Sequence, residues 1–220
     1  MENELKIKYA RDYMKNAHKD DYTGHDVAHV ERVYALALHI AHNEGNTNTL
    51  IIELAALLHD TVDNKITDEK LAYSKLVSFL KSIELTDEEI KHILHIIQHM
   101  SYRGGKNNNI EMSIDGKIVR DADRLDALGA IGIARTFQFA GHFGEPMWTE
   151  TNMPFESIQM NEIDKYDASA IKHFYEKLLK LKDLMHTSTG MQLAEERHTF
   201  MIQFLKQFLH EWNFNNNTNL

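Results

Sequence analysis

The apolar residues of this chain recur with the period of a helix and nowhere alternate long enough to make a convincing strand, so the predicted fold is all-α. Residues 3–18 read as a first helix. From about 25 to 43, Val30, Val33, Tyr34, Ala37, Ile40 and Ala41 form an i, i+3, i+4, i+7 stripe, and Gly45 ends that helix. Residues 49–60, TLIIELAALLHD, are apolar nearly all round, which marks a short helix surrounded by neighbours. Thr67-Asp68-Glu69 opens a fourth helix to about 82. Thr86 with Glu89 makes a capping box for a fifth, with Ile90, Ile93, Leu94 and Ile97 as its inner face. Helices are also predicted at about 116–128, 129–141, 168–184 and 190–212. The second of these starts on the small residues GAIGIA, which permit close helix packing.

Two stretches lack periodicity. Residues 101–114, SYRGGKNNNIEMSI, form a Gly/Asn-rich loop. Residues 142–167 carry both prolines and Trp148, and a connection of that length is characteristic of lids and binding loops. The Asn-rich end predicts a disordered tail over 213–220. With no repeat and no linker, one domain is expected over 1–212, with its core at about 20–130 and C-terminal helices over 168–212.

Composition removes whole classes of function. The 24 Lys+Arg against 33 Asp+Glu give a net charge of −9, which argues against stable nucleic-acid binding, because such proteins need a basic footprint. The lack of cysteine rules out disulfides, Cys-ligated zinc, iron–sulfur clusters and thiol catalysis. No apolar run approaches the ~18 residues of a membrane span, and the first residues have no signal-peptide core, so no membrane association and a cytoplasmic location are expected. The P-loop pattern fails because Gly105-Lys106 would need a glycine where Met100 stands; GxGxxG, HExxH and GxSxG are missing. What stands out is 14 histidines in 220 residues. Any metal site here must use nitrogen and oxygen ligands.

The informative residues are His29 in GHDVAHVERV, the pair His59-Asp60 in LLHDTVDNK, and Asp123 in DADRLDALGA. Adjacent helical residues leave about 100° apart, so His59 and Asp60 can converge on one ion near their helix end. The partial negative charge of a helix C-terminus favours a cation there. His25, His29 and Arg32 share one side of a second helix, and Asp123 on a third would complete two imidazoles and two carboxylates. Asp121 is the alternate fourth ligand. Such a donor set suits Mn, Fe, Zn, Co or Ni and is rich in nitrogen for a typical Ca or Mg site. A charged pair after the buried run LAALL needs a partner. A metal is one such partner; an arginine or lysine is the other.

These residues together resemble the HD superfamily of metal-dependent phosphohydrolases, whose signature is H…HD…D spread over a helical bundle. His29 followed by Val33 matches the first motif, LLHDTVD the second and DADRLDALG the third, and the resemblance covers roughly residues 20–212. DADRLDALGAIGIARTF and the later HFYEKLLKLKDLM are similar to a bacterial subgroup, the HD-domain nucleotide pyrophosphohydrolases. The resemblance implies a single-domain bundle of HD-domain, phosphodiesterase-like type. It implies metal ligation by His29, His59, Asp60 and Asp123, with a divalent ion as cofactor: manganese first, with Fe, Co, Ni, Zn and Mg as alternatives.

The activity implied is hydrolysis of a (deoxy)nucleoside triphosphate to monophosphate and pyrophosphate. Alternatives are a nucleotide monophosphatase, a guanosine tetraphosphate hydrolase, and a non-catalytic metal- or nucleotide-sensing module. Asp60 and Asp63 are the expected catalytic residues, because some family members carry a carboxylate at the latter position, usually Glu, that orients or deprotonates the attacking water. LLHDTVD resembles the HDTVED of guanosine tetraphosphate hydrolases but has Asp63 and Asn64 where they have two acids, which weighs against that activity. For the substrate phosphates, Arg103 and Lys106 offer cations in a loop whose glycines let backbone N–H groups approach an anion. Arg32 and Lys65 flank the ligands in sequence, and the resemblance adds Arg135, His173, Lys177 and Arg197. His25 and His99 are further substrate candidates, and Asp126 is expected to orient a ligand. The expected partners are a nucleotide and a second copy of the chain as a homodimer.

Overall fold

A computed structural model describes residues 1–19, 26–46, 48–62 and 69–214. All regular structure among them is helical: α1 (Asn3–His18), α2 (Val27–Asn43), α3 (Leu50–Leu58), α4 (Glu69–Ser82), α5 (Asp87–Met100), α6 (Ile114–Asp126), α7 (Gly129–Phe143), α8 (Ala170–Glu176) and α9 (Ser188–Trp212), with short 3-10 turns between. None of these helices is long and apolar enough to cross a membrane. The chain divides into two compact units: Met1–Asp123 with His186–Gly190, and Arg124–Met185 with Met191–Leu220.

The first unit is built around α3, which packs against α1, α2 and α5. Eight of its nine residues are buried, with only Glu53 partly exposed, as its all-round apolar sequence requires. The sequence stripe of α2 holds at Val30, Val33, Ala37, Ile40 and Ala41, which are fully buried. Gly45 adopts φ +74 beyond its end, the left-handed conformation glycine takes most readily. The capping box of Thr86 and Glu89 forms as expected. The inner face of α5 is Ile90, Ile93, Ile96, Ile97 and Met100, so Ile96 replaces the expected Leu94, which is half-exposed. The Gly/Asn-rich loop winds into a 3-10 turn at Arg103–Gly105.

The second unit gathers Phe137 of α7, Phe174 of α8 and Phe204 and Phe208 of α9 into one aromatic cluster, with Phe137 5.8–6.3 Å from each of the others. Gly129, at φ +71, lets the Arg197 side chain pack directly on the start of α7. The irregular 142–167 segment is pinned to this unit. Trp148, Ile158 and Ile163 are buried, Trp212 Nε1 donates to the Glu150 carbonyl at 2.9 Å, and Asn213 Nδ2 donates to that of Met153 at 3.0 Å. Asn213 is thus buried and hydrogen-bonded, which corrects a tail beginning at 213; residues 215–220 lie outside the described ones. The helix expected over 168–184 is also corrected. α8 ends at Glu176, Lys177 leaves helical geometry at φ −133, and Leu178–Leu184 form a 3-10 helix. Leu178 and Leu181, three apart and both buried, suit its three residues per turn.

Candidate metal centre

Local structure explains how each donor is presented. Asp26 caps α2, its Oδ1 accepting the backbone N–H of His29 at 2.8 Å, so His29 is fixed in the helix's first turn. His59 follows α3 directly. Its Nδ1 donates to the Ala56 carbonyl at 2.8 Å, which satisfies one of the helix-end carbonyls and leaves Nε2 as the donor atom for an ion. Asp60 is the next residue, and Asp123 comes from α6.

Within the first unit His29, His59 and Asp123 converge, and Asp60 lies against both rings. His29 Nε2 and His59 Nε2 are 3.4 Å apart, and Asp123 Oδ1 stands 3.6 Å and 3.8 Å from them. Asp60 reaches both rings, Oδ2 to His29 Nε2 and Oδ1 to His59 Nε2, each at 3.4 Å. An ion bonded at about 2.1 Å separates tetrahedral neighbours by about 3.4 Å and opposite ligands by about 4.2 Å, so these spacings fit one ion. Burial is graded: the imidazoles are 1% and 3% exposed, Asp60 14% and Asp123 28%. Solvent therefore reaches the cluster from its carboxylate side.

The electrostatics also favour a cation. Burial opposes charge on the His59 ring, but the charge and hydrogen bond of Asp60, the charge of Asp123 and the Ala56 carbonyl outweigh it and raise its pKa from 6.5 to about 9. A site that draws a proton this strongly attracts a divalent ion by the same forces, and the ion then takes the proton's place.

Of the two candidates for the fourth ligand, Asp123 stands with the histidines. Asp121 faces elsewhere: its carboxylate, fully buried, accepts the backbone N–H groups of His186 and Thr187 and the Thr187 hydroxyl at 2.8–2.9 Å through Oδ2. Arg32 lies half-buried on α2, and Arg103 and Lys106 are exposed after α5. His99 Nδ1 donates to the His95 carbonyl at 2.9 Å. His25, Asp63 and Lys65 lie outside the described residues. The remaining candidates belong to the second unit. There Asp126 accepts from Arg135 at 2.9 Å, His173 pairs with Glu176 at 2.9 Å, Lys177 follows α8, and Arg197 donates to the Leu125 carbonyl at 2.5 Å. Sequence reasoning passed over Arg120, His186 and Thr187, whose partners lie up to 66 residues away. No local pattern signals such pairs.

The centre and its helices have relatives. Residues 27–128, which contain all four donors, match the HD domain family. Bacillus subtilis YpgQ is 41% identical over 199 residues, 90% of this chain and 89% of its own. A crystal structure of YpgQ in complex with ADP superposes with a TM-score of 0.76 at 37% identity, covering 96% of this chain and 97% of that one. An HD-superfamily hydrolase from Bacillus thuringiensis gives 0.74 at 42% identity over 96% and 98%, and a Lactobacillus plantarum protein 0.81 at 36% over 96% and 99%. This chain belongs to the HD superfamily of metal-dependent phosphohydrolases.

Proposed function

We propose that the chain hydrolyses nucleotides, cleaving a (deoxy)nucleoside triphosphate to its monophosphate and pyrophosphate. The observation that carries this reading is the convergence of two imidazoles and the Asp123 carboxylate, with Asp60 set against both rings, open to solvent on the carboxylate side. The ADP complex of YpgQ supports a nucleotide as the substrate class.

His29, His59, Asp60 and Asp123 would hold the ion, manganese in the first instance. A bound divalent ion supplies Lewis acidity toward a phosphoryl oxygen and lowers the pKa of a water. The rest falls to the chain's own side chains. The Nδ1–H of His59, held by the Ala56 carbonyl, keeps that ring in the tautomer that ligates through Nε2. Arg32, one turn after His29, and Arg103 and Lys106 on the loop after α5 are assigned to the phosphate oxygens, whose charge their donors offset. Asp63, three residues beyond Asp60, is assigned on sequence grounds to orient the attacking water and accept its proton.

The purified chain is to be given Mn²⁺, Mg²⁺, Co²⁺ or Ni²⁺ and a nucleotide panel, with pyrophosphate and orthophosphate assayed separately. Pyrophosphate release that disappears in Asp60→Ala is the expected result. Orthophosphate as the sole product would contradict the cleavage position, and the absence of turnover with every metal would contradict the hydrolase reading.

A further inference from the structure

Three of the four donors are tied to the core of the first unit through α2 and α3, but Asp123 rides on α6 and is the most exposed of them. Alongside the Asp115 contacts at the start of α6, one set of polar contacts holds the helix beside and behind that ligand. Asp121, about 200° round the helix from Asp123, is fully buried and accepts the N–H groups of His186 and Thr187 and the Thr187 hydroxyl from the turn at 186–187. Gly190 closes the same cradle: a Cβ there would lie 2.6 Å from Asp121 Oδ2 and 2.7 Å from Thr187 Oγ1.

Arg120, 1% exposed, donates from Nη2 to the carbonyls of His99 at 2.9 Å and Asn107 at 3.3 Å. Its Nη1 meets His186 Nε2 at 3.2 Å. A guanidinium only donates, so His186 accepts through Nε2 and carries its proton on Nδ1. His186 is therefore gripped twice, its backbone by Asp121 and its ring by Arg120. Thr189 fastens the turn from its other side, its N–H and hydroxyl both reaching Glu44 Oε1 at 2.7 Å.

We propose that Arg120, Asp121 and His186 are positioning residues: the turn at 186–190 is a clasp that sets the register of α6 and so places the Asp123 carboxylate against His29 and His59. The clasp rests on reading the four donors as a metal centre, and it is independent of which nucleotide is cleaved. None of the three residues needs to touch ion or substrate; each acts through one turn of α6. Truncating His186 leaves a donor of the buried Arg120 without its acceptor, and the arginine must shift or draw in water, carrying α6 with it.

The test is Mn²⁺ affinity of the full chain, read by electron paramagnetic resonance of the free ion, in wild type, His186→Ala, His186→Gln and Leu80→Ala. His186→Ala is expected to weaken Mn²⁺ binding about tenfold or more, the range seen when a ligand loses its supporting partner. His186→Gln, whose amide oxygen accepts from Arg120, is expected to restore most of the affinity. Leu80→Ala empties a fully buried position of α4 and sets how far lost stability alone moves the affinity; no change is expected. Wild-type affinity in His186→Ala, or an equal loss in Leu80→Ala, would overturn the clasp. Should His186→Ala not fold, Thr187→Val, which removes one bond to Asp121, is read against the same reference: weaker binding supports the clasp and unchanged binding overturns it. A wild-type chain that binds no Mn²⁺ would overturn the metal centre and the clasp with it, an outcome distinct from failure of the clasp alone.

Discussion

His59 joins the fold to the chemistry, since one ring nitrogen ends α3 and the other faces Asp60 and Asp123. This has a consequence for stability in chelator. A pKa raised above the unfolded value of about 6.5 contributes stability that is fully present below that pH and is lost as pH rises through about 9. The difference in unfolding free energy between wild type and His59→Gln is therefore expected to be largest near pH 6 and to shrink by something on the order of 3 kcal/mol above pH 9. Urea unfolding across that range checks it, and a difference flat with pH would contradict it. The donors that meet here were legible from short motifs, a charged pair straight after LAALL and an acid within DADRLDALG, the second through its resemblance to the HD superfamily. The division of labour between Asp121 and Asp123 was not. Both stand in the same acidic run, and what separates them is contact with residues 186–187.

Elements whose ends are written in neighbouring residues were legible to within a residue or two, as the capping box of α5 and the glycine after α2 show. The 168–184 stretch was not, because LLKLKDL places leucines at spacings that satisfy both 3.0 and 3.6 residues per turn. The small residues of α7 give a sharper test of packing at this scale. A Cβ on Gly132 would collide with the Ala127 carbonyl oxygen, a backbone atom with no freedom to swing aside, whereas one on Gly141 would meet nothing within 4 Å. Gly132→Ala is expected to destabilise by about 1–3 kcal/mol. Gly141→Ala is expected to stabilise by about 0.5–1 kcal/mol, because alanine loses less backbone entropy in a helix. Thermal unfolding of the two variants side by side checks the contrast, and shifts of the same sign would contradict it.

At the scale of the whole molecule, helical periodicity without strand alternation led to an all-helical fold, which the structure has among its described residues. The two compact units were not legible. The chain leaves the first inside α6, directly after Asp123, and returns for residues 186–190 without a linker, a composition shift or a proline to mark either passage. What the first unit assembles is the central claim: His29, His59, Asp60 and Asp123 hold one divalent ion. Asp60 is the donor that tests it most directly, since it contacts both imidazoles and follows His59 in sequence. Metal content after Mn²⁺ loading and gel filtration, measured by mass spectrometry, is expected to be one ion per chain in wild type and close to none in Asp60→Ala. Equal metal content in the two proteins would contradict the account.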